Sequence, residues 1–284
     1  QNFAAEILGY AADKVKIHSH TMGGGFGRRA SKTADFVSEA ATIAKGEVWP
    51  VKMVWTREDD FRSGYYRPKY VHKGRMALNS VGDIVGWEQR VVGQRISVGG
   101  IVAGGKSAAF DASQVEGLTH FPYAVENIKI EAHPLITPVP TLWWRSVGHS
   151  HTAFVMESMV DEAAHTARVD PVTYRRKLYR NNARMLAVLD KVAEISAWGC
   201  KLPASTGLGV AVHDAYSFKG VCAQVAQVRV TGKQFKVEKV YCVIDCGFAV
   251  NPNGVRAQME SCIIFGLNGV SGEITFDEGR VVES

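Results

Sequence analysis

The feature that most constrains this chain is a glycine-rich stretch near its beginning, which reads Gly-Gly-Gly-Phe-Gly-Arg-Arg from Gly23 to Arg29. A strand-like run, residues 15–18, precedes it, and a helix-like run, residues 33–44, follows it. Because glycine has no side chain, such a loop brings backbone N–H groups close to a ligand through turns that other residues avoid. A loop of this kind before a helix, with two arginines beside it, suits an anion such as a phosphate. The alternative is a tight surface turn whose arginines are solvated.

The known nucleotide-binding motifs do not describe this loop. The Rossmann fingerprint Gly-x-Gly-x-x-Gly needs glycine at its sixth position, and counting from Gly23 that position is Arg28. The Walker motif ends in Gly-Lys-Ser/Thr, which does not follow here. Since residues 51–55 form a second strand-like run, the beginning of the chain is predicted to be a βαβ-like unit with the loop at the carboxyl end of its first strand.

The composition is that of a folded protein with a large core. The 284 residues are 46% hydrophobic and 21% charged, and they predict one large or two medium domains, which we place at residues 1–142 and 143–284. A net charge of +5 is spread along the chain and predicts no nucleic-acid partner. No apolar run is long enough to span a membrane. Five cysteines without Cys-x-x-Cys spacing predict buried thiols rather than a disulfide framework, a zinc site or an iron–sulfur site.

Strand-like and helix-like runs are mixed along the chain, which predicts an α+β or mixed α/β fold. The polar and aromatic residues 56–70 are predicted to be a loop, and the glycine-rich residues 99–105 a flexible one. Prolines from Pro134 onward exclude regular structure up to Trp143. The predicted strands are residues 71–76, 84–92, 128–133, 208–213, 221–230, 237–244 and 273–276, and the predicted helices are residues 3–8, 153–167, 171–179, 185–198 and 255–266.

Two further loops carry chemistry-bearing residues. The segment from Trp143 to His151 packs two indoles, an arginine and two histidines ahead of a predicted helix, as the edge of an aromatic pocket would. Its histidines are predicted to be packed or solvated rather than metal ligands. The segment from Asp245 to Asn253 leads from a strand into a helix that carries Gln258, and it is a second loop suited to an anion or an amide contact.

These three loops together resemble the molybdopterin-binding large subunit of the xanthine dehydrogenase and aldehyde oxidase family. Within that family the chain is most similar to the branch of the isoquinoline 1-oxidoreductase beta subunit and related bacterial aldehyde dehydrogenases. The resemblance covers residues 1–284. It rests on the glycine loop at 23–29, Trp-Arg-Ser-Val-Gly-His-Ser at 144–150, the helical residues 157–170 that end in Asp-Pro, Asp-Cys-Gly at 245–247, and the later Asn-Pro and Val-Arg-Ala-Gln, which ends at Gln258.

The resemblance implies a cofactor site and a reaction. The cofactor would be molybdopterin, in its cytosine dinucleotide form, and the reaction would be water-dependent hydroxylation of an electron-poor carbon, with electrons leaving through [2Fe–2S] clusters on a small iron–sulfur subunit. The glycine loop would lie near the molybdenum ligands, Arg145 at the cofactor edge, and Gln258 at the pterin or its pyrophosphate. The residues expected to bind the cofactor are Gly24, Gly25, Phe26, Gly27, Arg28, Arg145 and Gln258, and none is expected to bind a metal directly.

The chain departs from the family pattern in ways that bear on activity. The general base of the family is a glutamate in a Gly-x-Gly-Glu context, whereas Glu273 here stands in Val-Ser-Gly-Glu-Ile. Xanthine dehydrogenases carry a glutamate soon after the glycine loop, and Ala30 occupies that place, so purines are unexpected substrates. Other cofactor loops of the family would precede Gln1. We therefore expect a large subunit truncated at both ends, without a catalytic residue, inactive alone and completed by the rest of that subunit.

Several functions stay open at this point. The substrate is either an N-heteroaromatic such as isoquinoline, on which Trp143 and Trp144 would stack, or an aldehyde. A non-catalytic domain that keeps the fold is the alternative from another class. Nucleic-acid binding by the basic loop is the third, and it predicts salt-sensitive binding. The sequence assigns neither the cytoplasm nor the periplasm.

Overall fold

The structure is a computed structural model, and it describes residues 1–31, 33–96, 111–215, 219–272, 274–278 and 280–282. The glycine-rich residues 99–105 lie outside this part of the chain. The helices are α1 (Asn2–Leu8), α2 (Asp35–Ala44), α3 (Arg57–Ser63), α4 (His149–Ala167), α5 (Pro171–Leu178), α6 (Ala183–Ile195) and α7 (Pro252–Ser271). The strands are β1 (Tyr70–Leu78), β2 (Ile84–Gln94), β3 (Asn127–Leu135), β4 (Thr206–Ala215), β5 (Gly220–Thr231), β6 (Gln234–Asp245), β7 (Phe276–Asp277) and β8 (Arg280–Val281).

The described strands form two three-stranded sheets and one short hairpin. In the first sheet β2 is central, antiparallel to β1 and parallel to β3. The second sheet is an antiparallel meander in the order β4-β5-β6, and β7 pairs with β8. The expectation of a mixed fold of strands and helices is confirmed.

Helices α4, α5 and α6 share one apolar core with both large sheets. Helix α4 contacts β1 and β4, and α6 packs across all three strands of the second sheet. The buried cluster runs from Ile84 in β2 to Val225 in β5, and it includes Met156, Val160 and Leu189 of the helices. Residues on both sides of the predicted boundary between 142 and 143 therefore contribute to the same core, and the boundary itself stays a prediction.

A buried ion pair ties these elements together. The Arg175 guanidinium in α5 donates to Glu157 Oε2 of α4 at 2.9 Å, and its other end donates to Asp161 Oδ1 at 2.6 Å. Glu157 also accepts hydrogen bonds from the hydroxyls of Tyr123 and Tyr179 and from the backbone N–H of Val212 in β4. Arg175 is fully buried and Glu157 nearly so. One carboxylate thus joins α4, α5, β4 and the segment before β3.

The predicted βαβ-like unit at the beginning of the chain is wrong. Residues 15–18 and 51–55 are not strands, although α2 lies between them. Among the residues that the structure describes, no strand pairs with either run, and Ile17 and Val54 are exposed rather than buried. Helix α2 instead packs against α1. The apolar residues of both runs led to the wrong prediction, because a short apolar run does not by itself determine a strand.

Three smaller predictions also need correction. Residues 57–63, predicted to be loop, form α3, whose start is a capping box in which Thr56 Oγ1 accepts from Asp59 N and Asp59 Oδ2 accepts from Thr56 N. Strand β3 continues through Pro134, which is tolerated because β3 is an edge strand. The cysteines are not uniformly buried, since Cys200 and Cys246 are exposed and the other three are half-buried.

Candidate functional site

Arg145 joins its own segment to the glycine loop and to the helix that follows the third predicted loop. Its backbone N–H donates to the carbonyl oxygen of Phe26 in the glycine loop at 3.1 Å. Its guanidinium reaches the opposite way, where Nη2 donates to Gln258 Oε1 at 2.9 Å and Nη1 donates to Ser261 Oγ at 3.0 Å. The glycine loop, the segment before α4 and the first half of α7 are therefore in direct contact, although 113 residues separate Arg145 from Gln258.

Aromatic rings surround the Arg145 guanidinium. Its central carbon lies 5.5 Å from the ring centroid of Phe26 and 5.8 Å from that of Phe265, within range of cation–π attraction. Phe265 also packs against Phe26 and against Trp144, with centroid separations of 5.8 Å and 4.8 Å. These contacts hold the cation between two segments of chain that are distant in sequence.

Ser261 and Phe265 are site residues that the sequence analysis missed. They follow Gln258 by three and seven positions, which places all three on one face of α7. That spacing is a signal in the sequence, and it would have pointed to both residues once Gln258 was chosen. Helix α7 contacts Arg145 through this face. All twenty residues of the helix are described, and none of them is buried.

The glycine loop approaches the Trp143–Trp144 backbone too closely for any side chain. A Cβ atom on Gly27 would lie 2.2 Å from the Trp143 carbonyl oxygen, and Gly27 has φ 94°. Gly24 has φ 107°, and a Cβ on Gly25 would lie 3.1 Å from Cβ of Arg29. The need for glycine at position 27 therefore comes from contact with the second loop, as well as from the turn itself.

Three residues other than glycine also adopt left-handed backbone conformations at this contact. Phe26 has φ 51°, Ser146 has φ 81° and Val147 has φ 50°. A β-branched residue such as valine is a real outlier at positive φ. Such conformations cost about 1–3 kcal/mol each and persist where the surroundings enforce them, which is common at functional sites.

Arg28 and Arg29, the two cations next to the loop, are engaged locally. Arg28 forms a two-pronged ion pair with Asp35 at the start of α2, with Nη2 to Oδ2 at 2.6 Å and Nη1 to Oδ1 at 3.2 Å. Burial alone would raise the pKa of Asp35, but hydrogen bonds from Arg28 and Ser31 lower it. The Arg29 guanidinium lies over the ring of Phe36. Arg28 thus anchors the loop to α2, and its charge is balanced.

Arg145, by contrast, has no carboxylate partner among the described residues. Its hydrogen-bond partners are the neutral side chains of Gln258 and Ser261 and a backbone carbonyl of α7. Gln258 Oε1 is occupied by this contact, and no described residue accepts a hydrogen bond from its Nε2. Gln258 and Phe26 are both exposed. Within the described part of the chain, the loop contact therefore carries an unbalanced positive charge and a free amide donor at a solvent-accessible surface.

If Arg145 holds α7 in place, removing its guanidinium should loosen that helix. We expect Arg145→Leu to increase amide hydrogen exchange in residues 252–271 by about tenfold or more, because hydrogen bonds from a charged donor contribute roughly 1.5–3 kcal/mol. Exchange measured by mass spectrometry tests this, and the control is Arg67→Leu, because the Arg67 guanidinium lies over the Trp144 ring. Unchanged exchange in α7 would contradict the assignment.

Two histidine pairs join the first turn of α4 to the two large sheets. His151 Nδ1 lies 2.8 Å from Nε2 of His72 in β1, and His149 Nδ1 lies 2.6 Å from Nε2 of His213 in β4. Gln89 Nε2 donates to His72 Nδ1, so His72 Nε2 is the donor to His151 and both rings are neutral. Neither His149 nor His151 belongs to a metal-binding group among the residues described. His149 and His151 pack against the two sheets, and they fix the position of the helix that follows Arg145.

Burial lowers the pKa of these histidines, to about 4 for His72 and His213 and to about 3 for His151. In the unfolded chain these histidines have a pKa of 6.5, so they bind protons as the pH falls below that value. In the folded chain, His72 and His213 stay unprotonated down to about pH 4. It follows that the free energy of unfolding should fall as the pH is lowered through this window.

We expect His72→Asn to reduce this pH dependence, because it removes one of the four histidines whose pKa is lowered by burial. Urea unfolding at a series of pH values and constant ionic strength measures the slope. His165→Asn, at an exposed position of α4, is the matched control and should leave the slope unchanged. An equal slope in wild type and His72→Asn would show that His72 is not buried in its neutral form.

The sequence of the chain is similar to those of known proteins. Residues 1–179 match the family described as the molybdopterin cofactor-binding domain. The chain is 31% identical to the isoquinoline 1-oxidoreductase subunit beta of Brevundimonas diminuta, over 94% of this chain and 35% of that protein. It is 30% identical to the membrane-bound aldehyde dehydrogenase [pyrroloquinoline-quinone] of Gluconacetobacter polyoxogenes, over 95% of this chain and 38% of that protein. The chain thus spans about a third of the length of these relatives.

Solved structures with the same fold include two aldehyde oxidoreductases. The enzyme from Desulfovibrio desulfuricans ATCC 27774 matches with a TM-score of 0.54 and 17% identity, over 72% of this chain and 23% of that one. The enzyme from Desulfovibrio gigas matches with a TM-score of 0.52 and 19% identity, over 67% of this chain and 22% of that one. At these identities the likeness supports the fold alone. Because the family match covers residues 1–179, well over half of the sequence, the chain belongs to the molybdopterin cofactor-binding domain family.

Proposed function

We propose that the contact of the glycine loop, Arg145 and Gln258 is part of the molybdopterin site of a molybdenum hydroxylase. The observation that carries this proposal is the Arg145 guanidinium, which has no carboxylate partner among the described residues and lies beside an exposed backbone loop. Molybdopterin bears phosphate and many hydrogen-bonding groups, so a cation, a free amide and N–H donors are the groups that would hold it. When bound, it would supply the molybdenum chemistry that hydroxylates a carbon with oxygen from water.

Each predicted residue has a distinct task in this proposal. The backbone of Gly24, Gly25 and Phe26 would offer N–H donors to the cofactor, and Gly27 would keep the loop against Trp143. Gln258 would donate from Nε2 to a pterin or phosphate oxygen, and Arg145 would hold Gln258 in place and balance negative charge. Arg28, paired with Asp35, would act by anchoring the loop. No residue of the described chain is proposed as the general base.

The finer features of the enzyme follow from the relatives and are proposals as well. An N-heteroaromatic substrate is supported by the name of the Brevundimonas relative, and an aldehyde by the name of the Gluconacetobacter relative. We propose the cytosine dinucleotide form of the cofactor and electron transfer to [2Fe–2S] clusters on a small iron–sulfur partner. Since the chain spans about a third of its relatives, we expect no substrate-dependent dye reduction from this chain alone.

The rest of the large subunit would cover the exposed parts of the second half of this chain. Helix α7 has no buried residue, and Phe248 and Val250 in the loop before it are 90% and 87% exposed. Burial of such side chains stabilises an assembly. Hydrogen exchange in residues 246–271 should therefore be slower in the complete assembly than in the isolated chain, and equal exchange would argue against this interface.

None of the described helices combines the length and the hydropathy that a membrane-spanning helix requires.

Cofactor analysis of the assembled protein, purified from a bacterium that makes molybdopterin, tests the proposed function. We expect about one molybdenum and one pterin per chain, measured by elemental analysis and by fluorescence of the oxidised pterin. Because the name of one relative includes pyrroloquinoline quinone, the same sample should be examined for a bound quinone. A quinone without molybdenum, or a folded assembly with neither group, would overturn the proposal.

A further inference from the structure

Two thiols face each other on the open side of the second sheet. Cys222 in β5 and Cys242 in β6 have their sulfur atoms 3.7 Å apart. Cys242 lies opposite Gln224 in the strand register, and Cys222 is two positions from Gln224, so all three side chains are on one face. Val221, Ala223 and Val225 occupy the other face and are buried in the core. The pair is thus half-buried, and it lies outside the apolar core.

The two thiols have different acid–base environments. The hydrogen bond between the sulfur atoms lowers the pKa of Cys242, and the same bond together with burial raises the pKa of Cys222. The Gln224 amide donates to Cys222 Sγ at 3.8 Å. A thiolate stabilised by a neighbouring thiol is the arrangement in which one cysteine attacks and the other resolves.

We propose that Cys222 and Cys242 form a reversible dithiol–disulfide couple that hydroperoxides oxidise. The Cys242 thiolate attacks the peroxide, the O–O bond breaks, and Cys242 becomes a sulfenic acid while the departing oxygen takes up a proton and leaves as water or an alcohol. The Cys222 sulfur then attacks the sulfenic sulfur, the S–S bond forms, and hydroxide leaves as water with the Cys222 proton. The two thiols lose two electrons, and the peroxide gains them.

The position of this couple gives it a structural consequence. Strand β6 ends at Asp245, and the loop after it leads into α7, which carries Gln258. A covalent link between β5 and β6 would fix the strand from which that loop begins. The sulfur atoms must move from 3.7 Å to about 2 Å apart. Because Cys222 and Cys242 are diagonal neighbours in the strand register, this step requires a shift of the two strands as well as side-chain rotation. This inference does not depend on the cofactor proposed above.

Peptide mapping after mild oxidation tests the couple. The reduced chain is treated with an equimolar amount of hydrogen peroxide, alkylated and digested. We expect loss of two of the five thiols, a cross-linked peptide that joins Cys222 to Cys242, and full recovery with dithiothreitol. In Cys222→Ser we expect a sulfenic acid at Cys242, trapped by dimedone. Cys200→Ser, at an exposed site, is the control and should leave the cross-link unchanged.

Other outcomes would overturn the proposal. Cys262 lies close enough to Cys222 to raise its pKa, so a disulfide that includes Cys262 would assign a different pair. Full alkylation of Cys222 and Cys242 after peroxide treatment would show that they are inert, packed thiols. The wild-type mapping does not require a variant to fold, and thermal unfolding of Cys222→Ser verifies that the sulfenic-acid result comes from a native chain.

Discussion

Replacing Arg175 with leucine should lower the free energy of unfolding by about 3–5 kcal/mol, the largest effect that we expect of any single substitution. The change leaves the buried Glu157 carboxylate without its cation, and removing one partner of a buried pair exposes the full desolvation cost of the other. Arg175 is fully buried, and its guanidinium also donates to Asp161 and to the Glu157 carbonyl. Urea unfolding followed by circular dichroism measures the effect.

The neighbouring residue supplies a matched control. Arg176 lies on the same helix and pairs with Asp190, but both side chains are about half exposed. Arg176→Leu should therefore change the free energy of unfolding by no more than about 1 kcal/mol. Similar effects of the two substitutions would show that Glu157 does not depend on a buried cation.

Substituting alanine for Gly27 should separate the first two loops of the site. The left-handed conformation alone costs roughly 1–3 kcal/mol in a residue with a side chain. The added Cβ would also lie 2.2 Å from the Trp143 carbonyl oxygen, which is backbone and cannot move aside cheaply. We expect a loss of stability at the upper end of that range or beyond, and increased hydrogen exchange at residues 143–148.

Two other glycines separate the causes of this effect. Gly46 has φ 86° but nothing within 4 Å of an added Cβ, so Gly46→Ala measures the backbone strain alone. Gly23 has neither a positive φ nor a close neighbour, and Gly23→Ala should be nearly neutral. If Gly27→Ala costs no more than Gly46→Ala, the close approach of the two loops is incorrect.

The sequence was informative where regular patterns cover many residues. The alternation in β5 and the helical spacing in α4 predicted those elements, because period and length together distinguish a strand from a helix. The apolar runs at residues 15–18 and 51–55 were misleading, since a strand also needs a partner that the local sequence does not specify. The boundaries of α7 were too short by several residues at each end for a similar reason, because helix ends depend on capping.

The sequence likewise predicted some features of the candidate site and not others. Motif order identified the glycine loop, Arg145 and Gln258, and the structure places them in contact. The pairing of Arg28 with Asp35 and the stacking of Phe265 against Trp144 depend on tertiary geometry, which spacing within one segment does not encode. The glycine loop could be judged as an anion site only once the structure showed that Asp35 balances the charge of Arg28, whereas Arg145 has neutral partners.

We propose that Gln258, held by Arg145, contacts molybdopterin, and the pterin content of the assembled protein in matched variants measures this contact. Gln258→Leu removes one exposed amide and should leave folding intact, whereas Asn268→Leu makes the same kind of change at an exposed position further along α7. We predict that Gln258→Leu retains roughly tenfold less pterin per chain under dilution, because a hydrogen bond to a charged group contributes about 1.5–3 kcal/mol, and that Asn268→Leu retains the wild-type amount. Equal pterin content in the wild type, Gln258→Leu and Asn268→Leu would show that the Gln258 amide does not contact the cofactor.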